Sequence, residues 1–279
     1  MVGALAAAYV VLFLLERAAP LRRPKAALLP RLGVNLLVSA AALLAVVAVV
    51  DPVSTGTMQW ATSSSFGLMR LMELPGAAEL ALVFVLLDLS FYYWHVANHR
   101  IALLWRIHNV HHIDPDLDVT TAFRFHFAEV ALSAAFRAAQ IVLIGPSLAA
   151  YAIYELFFQL GTLFHHSNLR LPLGLERLLN KLLVTPRMHG IHHSRIRHET
   201  NSNFGVVFPW WDRIHGTLRL NVPQASIVIG IPAYSRPQDN RPGHCFALPF
   251  RRQRDYWSAA GIALGDRSPP TEPLDRLSQ

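Results

Sequence analysis

Cysteine and charged residues are both scarce in this chain of 279 residues. Cys245 is the only cysteine, which excludes an intramolecular disulfide and a metal site built on a CxxC pair. Charged residues make up only 15% of the chain, whereas soluble domains average about 25%. Together with a 53% hydrophobic content, this scarcity indicates a membrane protein or an unusually apolar core.

Several common functional signatures are also missing. The net charge is +7, but no basic run alternates with aromatic residues, so nucleic-acid binding is not predicted. Val96 follows His95 and Gly190 follows His189, which excludes the HExxH signature of a zinc protease. The absence of CxxCH and of a cysteine set argues against a fused haem or ferredoxin domain, so any electrons are expected to come from a separate protein.

Long apolar segments dominate what is present. Residues 32–50 and 77–94 are strong candidates for membrane spans, and residues 3–15 form a shorter segment that we expect to be retained in the membrane. Residues 127–164 are interrupted only by Gly145-Pro146, which predicts a helical hairpin. Residues 51–73 are interpreted as a polar, Ser/Thr-rich connection.

These segments predict an all-α integral membrane protein with four to five membrane helices, a cytosolic histidine-rich cap and a short mixed C-terminal tail. The predicted division is residues 1–75 for the first membrane helices, 76–220 for the histidine-motif domain and 221–279 for the cytosolic tail. The last dozen residues are predicted to be disordered. Residues 227–231 are interpreted as a short strand or an apolar contact.

Basic residues between the first two apolar segments predict the orientation. The positive-inside rule places this loop in the cytoplasm; its charges are Arg17, Arg22, Arg23, Lys25 and Arg31. Following the spans from there brings every histidine group to the cytoplasmic face of an inner or plasma membrane. Arg137 and Gln140 lie within an apolar segment and are expected to face neighbouring helices.

Histidines carry the chemistry of this sequence. Residues three or four apart share one face of a helix, and eight of the fourteen histidines repeat these spacings. Imidazole is the commonest protein ligand of transition metals, and a metal takes about four to six ligands. The nine candidates are enough for two sites: His95, His99, His108, His111, His112, His166, His189, His192 and His193.

The remaining histidines and the carboxylates have less decisive roles. His198, His215 and His244 are interpreted as surface or core residues, and His165 is left open. Bis-histidine haem ligation does not require such packed triplets. Carboxylates available to orient the imidazoles from outside the metal sites are Asp88, Asp114, Glu129, Glu155, Glu199 and Asp212.

Seven motifs between residues 88 and 217 resemble those of one family. They are HVANH, LLWRIHNVHH, RFHFAE, FHHSN, TPRMHGIHH, NSNFG and WWDRIHGT. In combination the sequence resembles the fatty acid hydroxylase superfamily, the sterol desaturase type of membrane di-metal oxygenase. The resemblance implies that the nine histidines are the metal ligands, and it adds His126 as a provisional ligand. It implies structural roles for Asn203 and Asp212, and no catalytic residue beyond the ligands.

The resemblance also implies an activity. We expect a non-haem di-iron monooxygenase that hydroxylates or desaturates a lipid, whether sterol-like, fatty acyl, carotenoid or related. O2 is the co-substrate, and the electrons are expected from a ferredoxin, a cytochrome or a reductase. Two alternatives stay open: a zinc-bound relative with a hydrolytic or structural role, and a non-catalytic membrane scaffold that binds lipid.

Overall fold

The computed structural model describes residues 2–72 and 74–258, and all regular secondary structure in these ranges is helical. This confirms the predicted all-α class. The helices are α1 (Val2–Ala18), α2 (Leu28–Ala45), α3 (Asp51–Ser63), α4 (Leu68–Leu71), α5 (Gly76–Arg100), α6 (Ala102–His112), α7 (Phe127–Ile144), α8 (Leu148–His166), α9 (Leu173–Leu179), α10 (Pro186–His192), α11 (Arg197–Thr200), α12 (Trp210–Ile214) and α13 (Pro242–Ala247).

Within the described residues, three segments are long and apolar enough to cross a membrane: Leu28–Leu71, Gly76–Arg100 and Phe127–Ile144. Many of their apolar side chains are exposed, including Leu44 at 69% and Leu143 at 67%. A helix with apolar side chains facing outward suits a lipid environment, because lipid rather than protein covers them. Helices α1 and α8 lie outside this set, so the predicted total of four to five spans stays a prediction.

The interpretation of residues 51–73 as a connection is wrong for its first half. Helix α2 continues through a π-helical turn, Val46–Val50, directly into α3. Pro52 lies in the first turn of α3 directly after the π-helical turn, and its missing N–H leaves a carbonyl of that turn without its helical partner. Met58 and Ala61 pack against Ile141 of α7, so the Ser/Thr-rich pattern belongs to the outward face of a packed helix.

The Gly145-Pro146 hairpin is confirmed. Helix α7 ends at Ile144, Gly145 adopts the left-handed conformation with φ 64°, and the Ser147 side chain caps α8. Gly67 approaches Gly145 so closely that a Cβ on Gly145 would lie 2.8 Å from the Gly67 Cα atom. This contact closes the bundle at the end remote from the histidines.

The helices alternate in direction between this glycine contact and the histidine end. Helices α2–α3 and α7 run away from the histidines, whereas α5 and α8 return to them and end at Arg100 and His166. At the remote end, the Ser147 N–H donates to Glu79 at the start of α5 (2.9 Å). The predicted convergence of all histidine groups at one end of the bundle therefore matches the fold. Which side of the membrane this end faces stays a prediction.

Arg31, one of the basic residues assigned to the predicted cytoplasmic loop, is buried and forms ion pairs in the protein interior. Arg31 lies in the first turn of α2, is 4% exposed, and donates to both carboxylate oxygens of Asp114 at 2.6 and 2.9 Å. Its remaining Nη1 donates to Asp118 at 2.6 Å. Arg137 and Gln140 face neighbouring helices as expected, because they bind Glu155 of α8 and Ser90 of α5.

The segment after residue 220 packs back on the cap. Ile227 and Ile229 contact Leu117 and Ile191, which favours an apolar contact over a strand, and only Ile229 forms a single bridge, to Ser194. The predicted disordered end lies outside the described residues. The three-part division of the chain stays a prediction.

Replacing Gly145 with alanine should destabilise the bundle. A non-glycine residue in the left-handed region costs about 1–2 kcal/mol, and the new methyl group would also collide with Gly67. We expect Gly145→Ala to lower the free energy of unfolding by at least that amount, measured by denaturation in detergent. Gly33→Ala is the control, because a Cβ at Gly33 meets no atom within 4 Å. Equal stability of the two variants would contradict this account.

Candidate metal centre

Nine histidines converge in two groups at the end of the bundle opposite the contact between Gly67 and Gly145. Group one contains five rings and group two contains four, and within each group the candidate ligand atoms lie within 4.8 Å of one another. Group one is His95, His99, His108, His112 and His192; group two is His111, His166, His189 and His193. The groups are neighbours, since the ring centroids of His112 and His193 are 4.4 Å apart. These nine residues are the nine candidate ligands that were named from the sequence.

A helical spacing of four residues decides which rings share a group. The pairs 95/99 and 108/112 both belong to group one, and the pair 189/193 belongs to group two. Rings three residues apart belong to different groups. His108 is in group one and His111 is in group two, whereas His189 is in group two and His192 is in group one. Each HxxHH motif therefore contributes to both groups, so the two motifs link the groups.

The four nitrogens of group two lie at contact distance from one another. The Nε2 atom of His166 is 3.0 Å from that of His111 and 3.1 Å from that of His189, which is 3.1 Å from that of His193. A metal–imidazole bond is about 2.0–2.1 Å long, so two ligands at a right angle place their nitrogens about 3 Å apart. The observed spacing matches a single ion held between the rings.

Backbone carbonyls determine which nitrogen of several rings carries the proton. A carbonyl oxygen only accepts, so a ring nitrogen facing it must be the N–H donor. The Nδ1 atoms of His95, His166 and His192 each lie 2.8 Å from a carbonyl, those of Phe204, Thr162 and Ser202 respectively. The Nε2 atoms of these rings therefore carry lone pairs. This is the arrangement by which proteins orient metal-bound imidazoles.

The carboxylate of Glu129 determines which nitrogen of His108 carries the proton. Its Oε1 atom lies 2.8 Å from the Nδ1 atom of His108, and both residues are buried. Among the six carboxylates considered from the sequence, Glu129 is thus placed to orient a ring of group one. Asp114 instead binds Arg31, and Glu155 binds Arg137.

A tight loop, residues 202–206, delivers the carbonyls that orient His95 and His192. Asn203 holds a positive φ of 58°, and its side-chain amide donates to the carbonyls of Met188 and Arg219 at 2.8 and 2.7 Å. Asp212 accepts hydrogen bonds from the backbone N–H groups of Phe204 and Gly205, both at 2.8 Å. The NSNFG and WWDRIHGT motifs are thus the two halves of a support for the metal site.

Burial keeps the rings uncharged. It is the largest cause that lowers the pKa of His111, His112, His189, His192 and His193 well below the usual 6.5, and the neighbouring imidazoles lower these pKa values further. The rings are therefore neutral at pH 7, which is the form that binds metals.

The donor set fits metal ions. Neutral rings with inward lone pairs offer one another few hydrogen bonds, and buried nitrogens without a hydrogen-bond partner occur on His99, His108, His112 and His192 of group one. Leaving buried polar atoms unpaired costs about 1–3 kcal/mol each. A cation in each group would satisfy them, so both groups could hold a metal ion.

Five histidines lie outside both groups: His126, His165, His198, His215 and His244. His126 caps α7: its Nδ1 accepts from the Ala128 N–H at 3.1 Å, and its Nε2 lies 3.2 Å from the Phe246 carbonyl. The structure thus does not bring this provisional ligand to the metal centre. His165 directs its Nδ1 to the Val206 carbonyl, and the two nitrogens of His215 bind Tyr93 and Trp211. The capping role of His126 could have been read from its place just before the apolar run of α7.

Comparison with known proteins agrees with this geometry. A family model described as fatty acid hydroxylase matches residues 80–217, about half of the chain, which include all nine grouped histidines. The chain belongs to the fatty acid hydroxylase superfamily. The predicted resemblance is therefore confirmed. In this fatty acid hydroxylase homologue, residues 202–217 form the segment that supports the two histidine groups.

Two relatives illustrate the range of this superfamily. The chain is 32% identical to an alkylglycerol monooxygenase of Xenopus tropicalis over 163 residues, which cover 57% of the chain and 34% of the relative. It is 30% identical to the ornithine lipid hydroxylase OlsE of Rhizobium tropici over 157 residues, 56% of the chain and 46% of the relative. The chain thus spans less than half the length of these relatives. No solved structure shows a significant match.

Substitution of single histidines should distinguish ligands from the helix cap. We expect His108→Ala and His189→Ala each to lose about one metal ion per chain, because each removes a donor from a different group. His126→Ala should keep the full metal content and lose about 1 kcal/mol of stability as a helix cap. Elemental mass spectrometry of the purified variants measures the metal. Loss of metal from His126→Ala, or its retention in the other two, would refute this assignment.

Proposed function

We propose that this protein is a membrane-bound di-iron monooxygenase that hydroxylates or desaturates a lipid with O2 and external electrons. The observation that carries the proposal is the pair of adjacent, all-histidine groups. Iron accepts imidazole ligands, and two adjacent ions suit an oxidation that needs two electrons. The relatives named above are a monooxygenase and a lipid hydroxylase, which supports the same reaction class.

The residues of the chain divide the work as follows. Group two is enclosed, with every ring at most 2% exposed, whereas His95 and His99 of group one are only partly buried. We therefore assign group one to the side from which the lipid approaches. Phe125 stacks on His111 with a centroid distance of 4.4 Å, and Trp105 lies 4.8 Å from His99, so aromatic rings exclude water around the centre.

The chemistry needs more than the side chains provide. When bound, the two iron ions would supply the activation of O2, for which the protein itself has no redox-active group. In a hydroxylation, one oxygen atom enters the C–H bond and the other leaves as water, so electrons and protons must be supplied. The side chains orient the ligands through Glu129 and the 202–206 loop and keep the surroundings apolar.

Electrons are proposed to arrive from a separate redox protein at the cytoplasmic side. Tyr256 and Trp257 pack on Trp105, the indole that contacts His99 and His112. Around them the described surface carries exposed arginines: Arg236, Arg241, Arg251 and Arg252. An acidic electron carrier fits this arginine surface by charge, and it would dock close to group one.

Metal analysis and oxygen consumption test the proposed activity. We expect about two irons per chain in protein purified from iron-supplied cells, with magnetically coupled ferric signals in the Mössbauer spectrum. Oxygen uptake should depend on added lipid and be lost in His108→Ala and His189→Ala. Zinc in place of iron from the same cells, or oxygen uptake that is indifferent to lipid, would refute the proposal.

Charge reversal tests the docking surface. We expect Arg251→Glu with Arg252→Glu to raise the KM for an acidic ferredoxin donor several-fold and to leave the KM for lipid unchanged, because like charges now repel. The effect should shrink at high salt, where exposed charges are screened. Arg70→Glu is the matched control, since Arg70 is exposed near the remote Gly67. Equal effects of both changes would contradict docking at this surface.

A further inference from the structure

We propose that part of the histidine-bearing cap is itself embedded in the membrane interface and contacts phospholipid. This part, called the shoulder, consists of α9, residues 180–182 and α12. None of the three candidate spans includes it; α9 and residues 180–182 lie between α8 and the ligands of α10, and α12 follows α10. Three independent features of the shoulder point to phospholipid as its partner. They are an exposed apolar stripe, the depth of the shoulder along the bundle, and the charges at its edge.

The apolar stripe has helical spacing and is uncovered. Leu175, Leu178 and Leu182 stand at positions i, i+3 and i+7, and they are 44%, 60% and 58% exposed. Ile214 at the end of α12 is 71% exposed. On the opposite face of α9, Glu176 is 3% exposed and accepts a hydrogen bond from the backbone N–H of Arg187. The helix is therefore fixed to the cap on one side and apolar on the other.

The depth of the shoulder follows from a chain of contacts to α5. Phe84 lies eleven residues before His95 on that helix, which is about 16 Å towards the remote end of the bundle. The ring of Phe208 lies 5.3 Å from Phe84, and Trp210 stacks on Phe208 at 4.1 Å. The Trp210 indole N–H then donates to the Lys181 carbonyl at 2.8 Å.

A second contact fixes α12 against the end of α9. Arg213 donates to the Asn180 carbonyl at 2.7 Å. Phe157 of α8, which is 50% exposed, also packs on Phe84 at 5.7 Å. The shoulder thus lies alongside the part of α5 that leads from Phe84 to the histidines. At that depth the surroundings of an exposed leucine are lipid, because the spans themselves require it.

The charges of the shoulder suit the lipid headgroups. Arg177, Lys181 and Arg213 are exposed within or beside the apolar stripe. Long basic side chains extend from apolar surfaces to the aqueous edge of a membrane, where phosphate groups attract them. Indole rings such as that of Trp210 prefer the same region. An apolar stripe with a basic and aromatic edge is typical of a helix that lies in the interface.

The shoulder is directly linked to group two. Glu176 also binds the Arg187 side chain, and Arg187 stands two residues before His189. The contact of the cap with lipid therefore holds the start of α10, which supplies His189 to group two. This gives the membrane a part in positioning the metal centre, in addition to holding the spans.

Spin labelling of the shoulder tests the proposal. The label is attached to Leu178→Cys in holoprotein reconstituted into nanodiscs of phosphatidylcholine and phosphatidylglycerol. Cys245 is buried, so the unmodified chain serves as the labelling blank. Leu43→Cys on the α2 span is the lipid-facing reference, and Gln238→Cys on the cap is the aqueous reference. Collision rates with O2 and with a water-soluble nickel chelate are measured for all three, and metal content confirms folding.

The proposal predicts a lipid-like result at Leu178. The nickel collision rate should be at least about threefold lower than at Gln238, and the O2 collision rate should be close to that at Leu43, because O2 partitions into lipid. Nickel access equal to that at Gln238 would place the shoulder in water and overturn the proposal. Low access to both reagents would indicate a protein contact, such as a second copy of the chain, and would overturn it equally.

Discussion

The convergence of nine imidazoles on two points is the constraint from which the cap is built. Without a cation, buried nitrogens with inward lone pairs have no adequate partners. Four elements supply the rings, and all four come together at this site. They are the ends of α5, α6 and α8, and the short helix α10. The carbonyls of the 202–206 loop and Glu129 then determine the tautomers. The free energy of metal binding thus compensates for an arrangement that the chain alone would not favour.

The local pattern of the sequence was enough to predict much of this site. Spacings of three and four residues identified eight of the nine grouped histidines, His166 was named from the sequence without such a spacing, and Gly145-Pro146 identified the hairpin. The distribution of rings between groups was beyond that reasoning. Residues three and four apart both share a broad helix face, and only the packing of three helices around each point separates His108 from His111.

Other errors also had physical causes in tertiary packing. The polar composition of residues 51–63 suggested a connection, but Met58 and Ala61 supply enough apolar surface to hold that stretch against α7. Arg31 was counted as a loop charge, although Asp114 and Asp118 bind it in the interior. His126 shares a motif with true neighbours of the site, yet the backbone of α7 uses its ring as a cap. For residues 51–63 and for Arg31, a partner distant in sequence determines the role.

The enclosure of group two has a consequence for how the protein matures. Its four rings are at most 2% exposed, and Phe125 stacks on the outer side of His111. With the rings this buried, an ion would have little direct access to these nitrogens once α10 and the 202–206 loop are in place. Metal insertion would therefore be tied to the late stages of folding, and later exchange would require local opening of the cap. The residence time of the metal would then report the stability of this region rather than the affinity of the histidines alone.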